Sequence, residues 1–222
     1  MSEQLVVEAA GLLFDMDGVL VSSIGSVNRC WKRWAEHYGV VDADKVQIAH
    51  GTRAVDIIKL LTPGLDVAEG LKLIEDMEID DVADLTVLPG AKALLESLPP
   101  ERWAIVTSAT KRLAIARLGV AGLPVPERFI TGDMVERGKP DPEPYRCGAE
   151  LLGFAAGECV VVEDAPSGVG AGVAAGARVL GVLGTHSAAE LRAAGVSWVV
   201  GSLEDVRVGM MDGALRVELV AV

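Results

Sequence analysis

The sequence predicts an α/β protein: a parallel sheet core flanked by helices, a small α-helical insert after the first strand, and a C-terminal hairpin. Three observations carry this. Short, almost wholly apolar runs recur along the chain, each ending in polar residues and leading into a helical pattern. One stretch, roughly residues 24–85, shows only helical spacing. Near the C-terminus, an Asp-Gly pair separates two extended runs.

In chain order, the first apolar run is Gly11 to Phe14, ending at Asp15. The insert follows, with Val27, Trp31, Trp34, Ala35 and Tyr38 on one helical stripe and Val55, Ile57, Ile58, Leu60 and Leu61 in the next segment. Thr62-Pro63-Gly64 breaks that segment, and Val67 to Met77 is helical again. Leu88-Pro89-Gly90 marks the return to the core. Further strand-like runs are Trp103 to Val106 ending at Thr107-Ser108, Phe129 to Thr131, Cys159 to Val162 ending at Glu163-Asp164, Val179 to Leu183, and Trp198 to Val200. Asp212-Gly213 then joins Val206–Met211 to Ala214–Leu219 as a hairpin. The sum is a Rossmann-like core over residues 1–22 and 86–222, with a helical cap over 23–85.

Composition narrows the class of function. At 222 residues with half of them hydrophobic, the chain can bury a sizeable core. A formal charge of −12 argues against a nucleic-acid partner, which needs a basic surface. The apolar runs fall well short of the roughly 20 residues a membrane span requires. Met1 to Ala9 contain Glu3 and Glu8 with no basic start before an apolar run, so no secretory signal is expected. The three cysteines, Cys30, Cys147 and Cys159, lack metal-ligand spacing and read as reduced and structural. The expectation is a cytoplasmic enzyme, a monomer or small homo-oligomer.

Four segments can carry chemistry. In Asp15-Met16-Asp17-Gly18, two carboxylates two residues apart follow a buried strand, at the end where open α/β sheets bind ligands. One can act as a nucleophile and the other as an acid and base. A pair of turn-forming acids is the plainer reading. A calcium loop is excluded, because Val19-Leu20-Val21 stands where further oxygen ligands are needed. Glu163-Asp164 repeats the pattern on another strand, so acids from two strand ends could together hold Mg²⁺, with helix capping as the alternative. Thr107-Ser108-Ala109-Thr110 offers hydroxyls at a helix start, fit for a phosphate or for an ordinary N-cap. Gly138-Lys139-Pro140-Asp141-Pro142 is a stiffened turn that could aim Lys139 as countercharge, or simply expose it.

Taken in order, these four segments resemble the motifs of the haloacid dehalogenase superfamily of phosphatases, over nearly the whole chain. The helical insert lies where that superfamily carries a small cap. The resemblance implies Asp15 as nucleophile and metal ligand, and Asp17 as acid/base and ligand through its carbonyl. It implies Asp164 as the third metal ligand, with Glu163 supporting the metal directly or through water, and Mg²⁺ as cofactor. Thr107 or Ser108, together with Lys139, would hold the phosphoryl group, and which hydroxyl does so stays open. Asp17 argues against a dehalogenase, whose chemistry needs neither a second Asp nor a metal. Val161–Gly168, Gly138–Tyr145 and His50-Gly51-Thr52-Arg53 resemble sugar-phosphate and glycerol-phosphate phosphatases, which makes His50 and Arg53 candidate substrate contacts in the cap.

The expected activity is Mg²⁺-dependent hydrolysis of a small sugar or polyol phosphate. A β-phosphoglucomutase-like phosphomutase is the main alternative. Val27 stands where that mutase carries a restraining histidine, and His50 and Ala54 stand where it carries a lysine and an arginine for the distal phosphate, although Arg53 could substitute after a shift of one. A non-catalytic binder of phosphorylated metabolites is the third reading, disfavoured by the complete set of motif acids.

Overall fold

A computed structural model describes residues 3–43 and 51–222. Its first strands are β1 (Glu3–Ala9), β2 (Gly11–Phe14) and β3 (Val21–Ser22). Three helices follow, α1 (Ile24–His37), α2 (Ala54–Leu61) and α3 (Val67–Asp80). Then come β4 (Thr86–Val87), α4 (Ala91–Ser97), β5 (Trp103–Val106), α5 (Lys111–Ala121), β6 (Phe129–Ile130) and α6 (Glu143–Leu152). The chain ends with β7 (Cys159–Glu163), α7 (Pro166–Ala175), β8 (Arg178–Val182), α8 (Ala188–Ala194), β9 (Trp198–Val200), β10 (Val206–Met211) and β11 (Ala214–Ala221).

The main sheet runs β1-β11-β9-β8-β7-β2-β5-β6, with β10 also paired to β11. Strands β9 to β6 along this path are parallel, and β2 lies between β5 and β7. From β2 the chain builds outward through β5 and β6, then crosses to the other side of β2 to lay down β7, β8 and β9. The carboxyl ends of β2 and β7 therefore meet at the point where strand order reverses, the crevice that such sheets use for ligands.

Alternation along β2 feeds two cores. Leu12 and Phe14 pack with Trp103, Ile105, Leu94 and Leu118 on one face. Leu13 packs with Val106, Tyr145, Ala149 and Val169 on the other. Each fully buried Leu or Phe contributes about 1.5–3 kcal/mol. A third cluster lies within α1–α3, where Trp31, Trp34, Ile57, Ile58 and Ile74 bury one another. Of the predicted α1 stripe, Trp31, Trp34 and Ala35 are buried and Val27 and Tyr38 pack half-buried against the cluster, while Ser26 and Cys30 are buried as well.

Two features were not expected. Strand β1 precedes the strand read as the first, so the helical segment enters after it and after β2. It alternates Val7 and Ala9 inward with Val6 outward, and pairs antiparallel with β11. The second is a two-stranded ribbon, β3 with β4, which ties Val21-Ser22 to Thr86-Val87 at the two ends of the helical segment. The C-terminal hairpin forms as predicted, with Asp212 and Gly213 at positive φ (51° and 84°), as a tight hairpin turn needs. Among the described residues no helix is long and apolar enough to cross a membrane.

Candidate active site

Because Phe14 pairs with Val162, the residues that follow β2 and β7 are neighbours. The Asp15 backbone N–H donates to the Val162 carbonyl (2.9 Å), fixing Asp15 beside the end of β7. Lys139, from the turn between β6 and α6, donates to Asp15 Oδ1 and to Glu163 Oε1, both at 2.7 Å. Its side chain is fully buried. Glu163 Oε1 also accepts the Tyr145 hydroxyl (2.7 Å), and Oε2 accepts the N–H groups of Asp164 and Ala165. With both oxygens engaged, Glu163 braces Lys139.

Asp164 differs. Its Oδ2 takes the Thr185 hydroxyl, while Oδ1 is buried without a hydrogen-bond partner among the described residues. One oxygen each of Asp15, Glu163 and Asp164 lies within 4.8 Å of the others, so among the described residues three buried carboxylates face the Lys139 ammonium. Burial, with Glu163 adding to it against Lys139, raises the Asp15 carboxyl to about 7. Burial and then Glu163 and Asp15 push Asp164 well above the carboxylate range. Burial works against the Lys139 charge, yet Asp15 and Glu163 together hold it above the usual lysine value. An unsatisfied acceptor and surplus negative charge, offered by hard oxygens alone, fit a divalent cation such as Mg²⁺.

Two glycines permit this packing. Gly18 has φ +85°, and a Cβ there would overlap the Asp164 carboxylate. A Cβ at Gly168, in the first turn of α7, would overlap Glu163.

Asp17 lies on the open side of the cluster. Ser23 Oγ donates to its Oδ1 (2.6 Å) and Arg117 to its Oδ2 (2.9 Å). The other amine of Arg117 donates to Glu78 of α3 (3.0 Å). Thr110 is the N-cap of α5, which leaves Thr107 and Ser108 free of that task. Thr107 Oγ1 accepts the Ala109 N–H (3.1 Å), and Ser108 Oγ donates to the Gly51 carbonyl (2.6 Å). Asp15, Asp17, Thr107 and Ser108 line one cleft, closed on the far side by Val27, Trp31, Ile74 and Glu75.

The two cap candidates fare differently. His50 lies outside the described residues. Arg53 is buried, and its guanidinium donates to Asp56 and to the carbonyls of Val135 and Glu136, in the loop that leads to Lys139. Its donors to Asp56 and to those backbone carbonyls make Arg53 an anchor between α2 and that loop.

The sequence reading missed Arg117, Glu78, Tyr145 and Thr185. A signal existed for the first two. Arg117 falls on the buried stripe of α5 with Leu113, Ala114 and Leu118, and Glu78 continues the Gly70–Ile74 stripe of α3. A charged residue at a core position of a helix rarely stands there unpaired.

A protein-family model described as haloacid dehalogenase-like hydrolase matches residues 10–176. The chain belongs to this family. Within it, the chain is 42% identical over 203 residues to hexitol phosphatase A of Escherichia coli K12, covering 89% of this chain and 93% of the relative. It is 34% identical over 209 residues to glycerol-1-phosphate phosphohydrolase 1 of Saccharomyces cerevisiae, covering 89% and 84%. A solved hydrolase from Pseudomonas syringae superposes with a TM-score of 0.75 at 26% identity, covering 87% of this chain and 93% of that one. The haloacid dehalogenase-like relatives that carry an activity in these two names are phosphatases, which places this chain among the phosphoric monoester hydrolases.

Proposed function

We propose that the protein hydrolyses small sugar or polyol monophosphates with Mg²⁺, through an aspartyl-phosphate formed on Asp15. The observation that carries this reading is the cluster of Asp15, Lys139, Glu163 and Asp164 at the strand-order reversal, with Asp164 Oδ1 left unsatisfied. The relatives named for hexitol and glycerol phosphates point to the same substrate class.

In this reading Asp15, Asp164 and the Asp17 carbonyl hold the cation. When bound, Mg²⁺ supplies positive charge against the phosphoryl oxygens and the nucleophile. Lys139 keeps Asp15 Oδ1 in place and adds a fixed positive charge where the transferring group gains negative charge. Asp15 attacks phosphorus while the P–O bond to the alcohol breaks, and Asp17 gives the departing oxygen its proton. Asp17 then takes a proton from water as that water attacks phosphorus, which releases phosphate and returns Asp15 as carboxylate. Thr107 or Ser108, with Lys139, holds the phosphoryl oxygens, and residues 23–85 act as the cap that excludes bulk water.

Val27 lines the cleft, so an apolar side chain stands where the mutase resemblance implies a histidine. That favours water over a sugar hydroxyl as the acceptor. The cysteines are free thiols, consistent with a reducing compartment, and we place the enzyme in the cytoplasm.

The test is phosphate release from hexitol, glycerol and hexose phosphates, and from nucleotides, with Mg²⁺ or with EDTA. Release from the polyol and sugar esters that EDTA abolishes is expected. Release that EDTA leaves intact, or isomerised product without stoichiometric phosphate, would overturn the proposal.

A further inference from the structure

The acid/base assigned to Asp17 is held by groups that also hold the helical segment. Arg117 is a core arginine, on α5, with 4% of its side chain exposed. A guanidinium buried on an apolar helix face is costly unless it is paired, and Arg117 is paired twice. NH1 donates to Asp17 Oδ2 at 2.9 Å, and NH2 donates to Glu78 Oε2 at 3.0 Å. The two carboxylates come from different parts of the fold, Asp17 from the loop after β2 and Glu78 from the last turns of α3. A planar fork can serve both at fixed angles, which a lysine ammonium cannot.

The other oxygen of Asp17 is held from the same segment. Ser23, which donates to Oδ1 at 2.6 Å, is the N-cap position of α1. Both ends of the helical segment therefore reach Asp17: the start of α1 directly, and the end of α3 through Glu78 and Arg117. Asp17 itself keeps 28% of its side chain exposed toward the cleft, so it can meet a substrate while its rotamer is set from behind.

We propose that Arg117 is a positioning residue that couples the placement of α3, through Glu78, to the orientation of the Asp17 carboxylate. This rests on the reading of Asp17 as acid and base. Arg117 touches no reacting atom; it fixes the direction from which Asp17 reaches the leaving oxygen. When α3 shifts, Glu78 moves one side of the fork and Asp17 loses its aim.

Leaving-group dependence tests this. The ratio kcat/KM reports the steps through the first irreversible one, in which the alcohol departs. An alkyl alcohol needs a proton as it leaves, whereas p-nitrophenolate does not. Arg117→Met and Glu78→Ala should each lower the ratio of kcat/KM on glycerol 1-phosphate to that on p-nitrophenyl phosphate, by about 100-fold for Arg117→Met. The double variant should be no worse than the more damaged single one, since residues acting as one unit are not additive. Arg117→Lys, which keeps the charge but not the fork, should show a partial drop and serves if the Met variant does not fold.

Equal losses on both esters in the Arg117 variants would mark a structural role and overturn the proposal. Losses in Arg117→Met and Glu78→Ala that multiply would overturn the coupling to α3. Asp17→Asn is the control that separates the two levels. If it lowers the ratio while the Arg117 variants do not, the Arg117 proposal alone fails. If Asp17→Asn does not lower it, the acid reading fails and takes the proposal with it.

Discussion

Replacing Lys139 by Met tests how much of the fold's stability is tied to the site. The ammonium sits 2.7 Å from Asp15 Oδ1 and 2.7 Å from Glu163 Oε1, with all three side chains buried. Removing one member of a buried ionic cluster leaves charge uncompensated, which costs about 3–5 kcal/mol. For a chain of this size that corresponds to a fall in Tm of roughly 6–20 °C. Lys72 supplies the control. It also lies 2.7 Å from a carboxylate, Asp76, but its side chain is 76% exposed. An exposed pair contributes about 0–1 kcal/mol. Urea unfolding of Lys139→Met and Lys72→Met at pH 8 in EDTA should therefore differ by several fold in the stability lost. Asp15 holds its proton up to about pH 7 even beside Lys139, so at pH 6 the orphaned carboxyl is neutral and the Lys139→Met loss should be smaller. Equal losses in the two variants would refute the burial reasoning.

Two further predictions concern charge. Burial, with Asp17 opposing the help of Arg117, raises the Glu78 carboxyl from 4.5 to about 7. Between those values the folded protein keeps a proton that the unfolded chain has released, so this group's contribution to stability falls as pH rises, by about 3 kcal/mol in all. Glu78→Gln should flatten the pH dependence of unfolding between pH 4.5 and 7; an unchanged slope would contradict the assignment. Mg²⁺ at a hundred times its Kd should stabilise the fold by about 2.7 kcal/mol, read as a rise in Tm over EDTA. Asp164→Asn should remove most of that rise, and a full rise in that variant would exclude Asp164 as a ligand.

Most of the sheet was legible because buried parallel strands read as continuous apolar runs. Gly11–Phe14, Trp103–Val106 and Cys159–Glu163 announce themselves, and the acids after them fall where the strand order reverses. The strand β1 was hidden because its pattern alternates: Val7 and Ala9 point inward while Val6 stays exposed, as an outer antiparallel strand allows. The β3–β4 ribbon is two residues long on each side, too short for any period to register. In the site, Asp15, Lys139, Glu163 and Asp164 were readable as motif residues. The partners that orient them were not, since Tyr145, Thr185 and Arg117 reach the cluster only through tertiary packing. Arg53 carries contacts that its place in the motif did not announce. A basic residue next to a substrate-like motif suggested recognition, and burial against the Val135 and Glu136 carbonyls gives it an anchoring task.

If Asp15 is the nucleophile, it carries the phosphoryl group between attack and hydrolysis. Acid quench of the enzyme during turnover of a hexitol phosphate with Mg²⁺, followed by peptide mass spectrometry, tests it directly. The expected product is a peptide containing Asp15 heavier by one phosphoryl group, labile to hydroxylamine and absent from Asp15→Asn, which should fold and lack activity. Unmodified Asp15 throughout turnover, or full activity in Asp15→Asn, would contradict it.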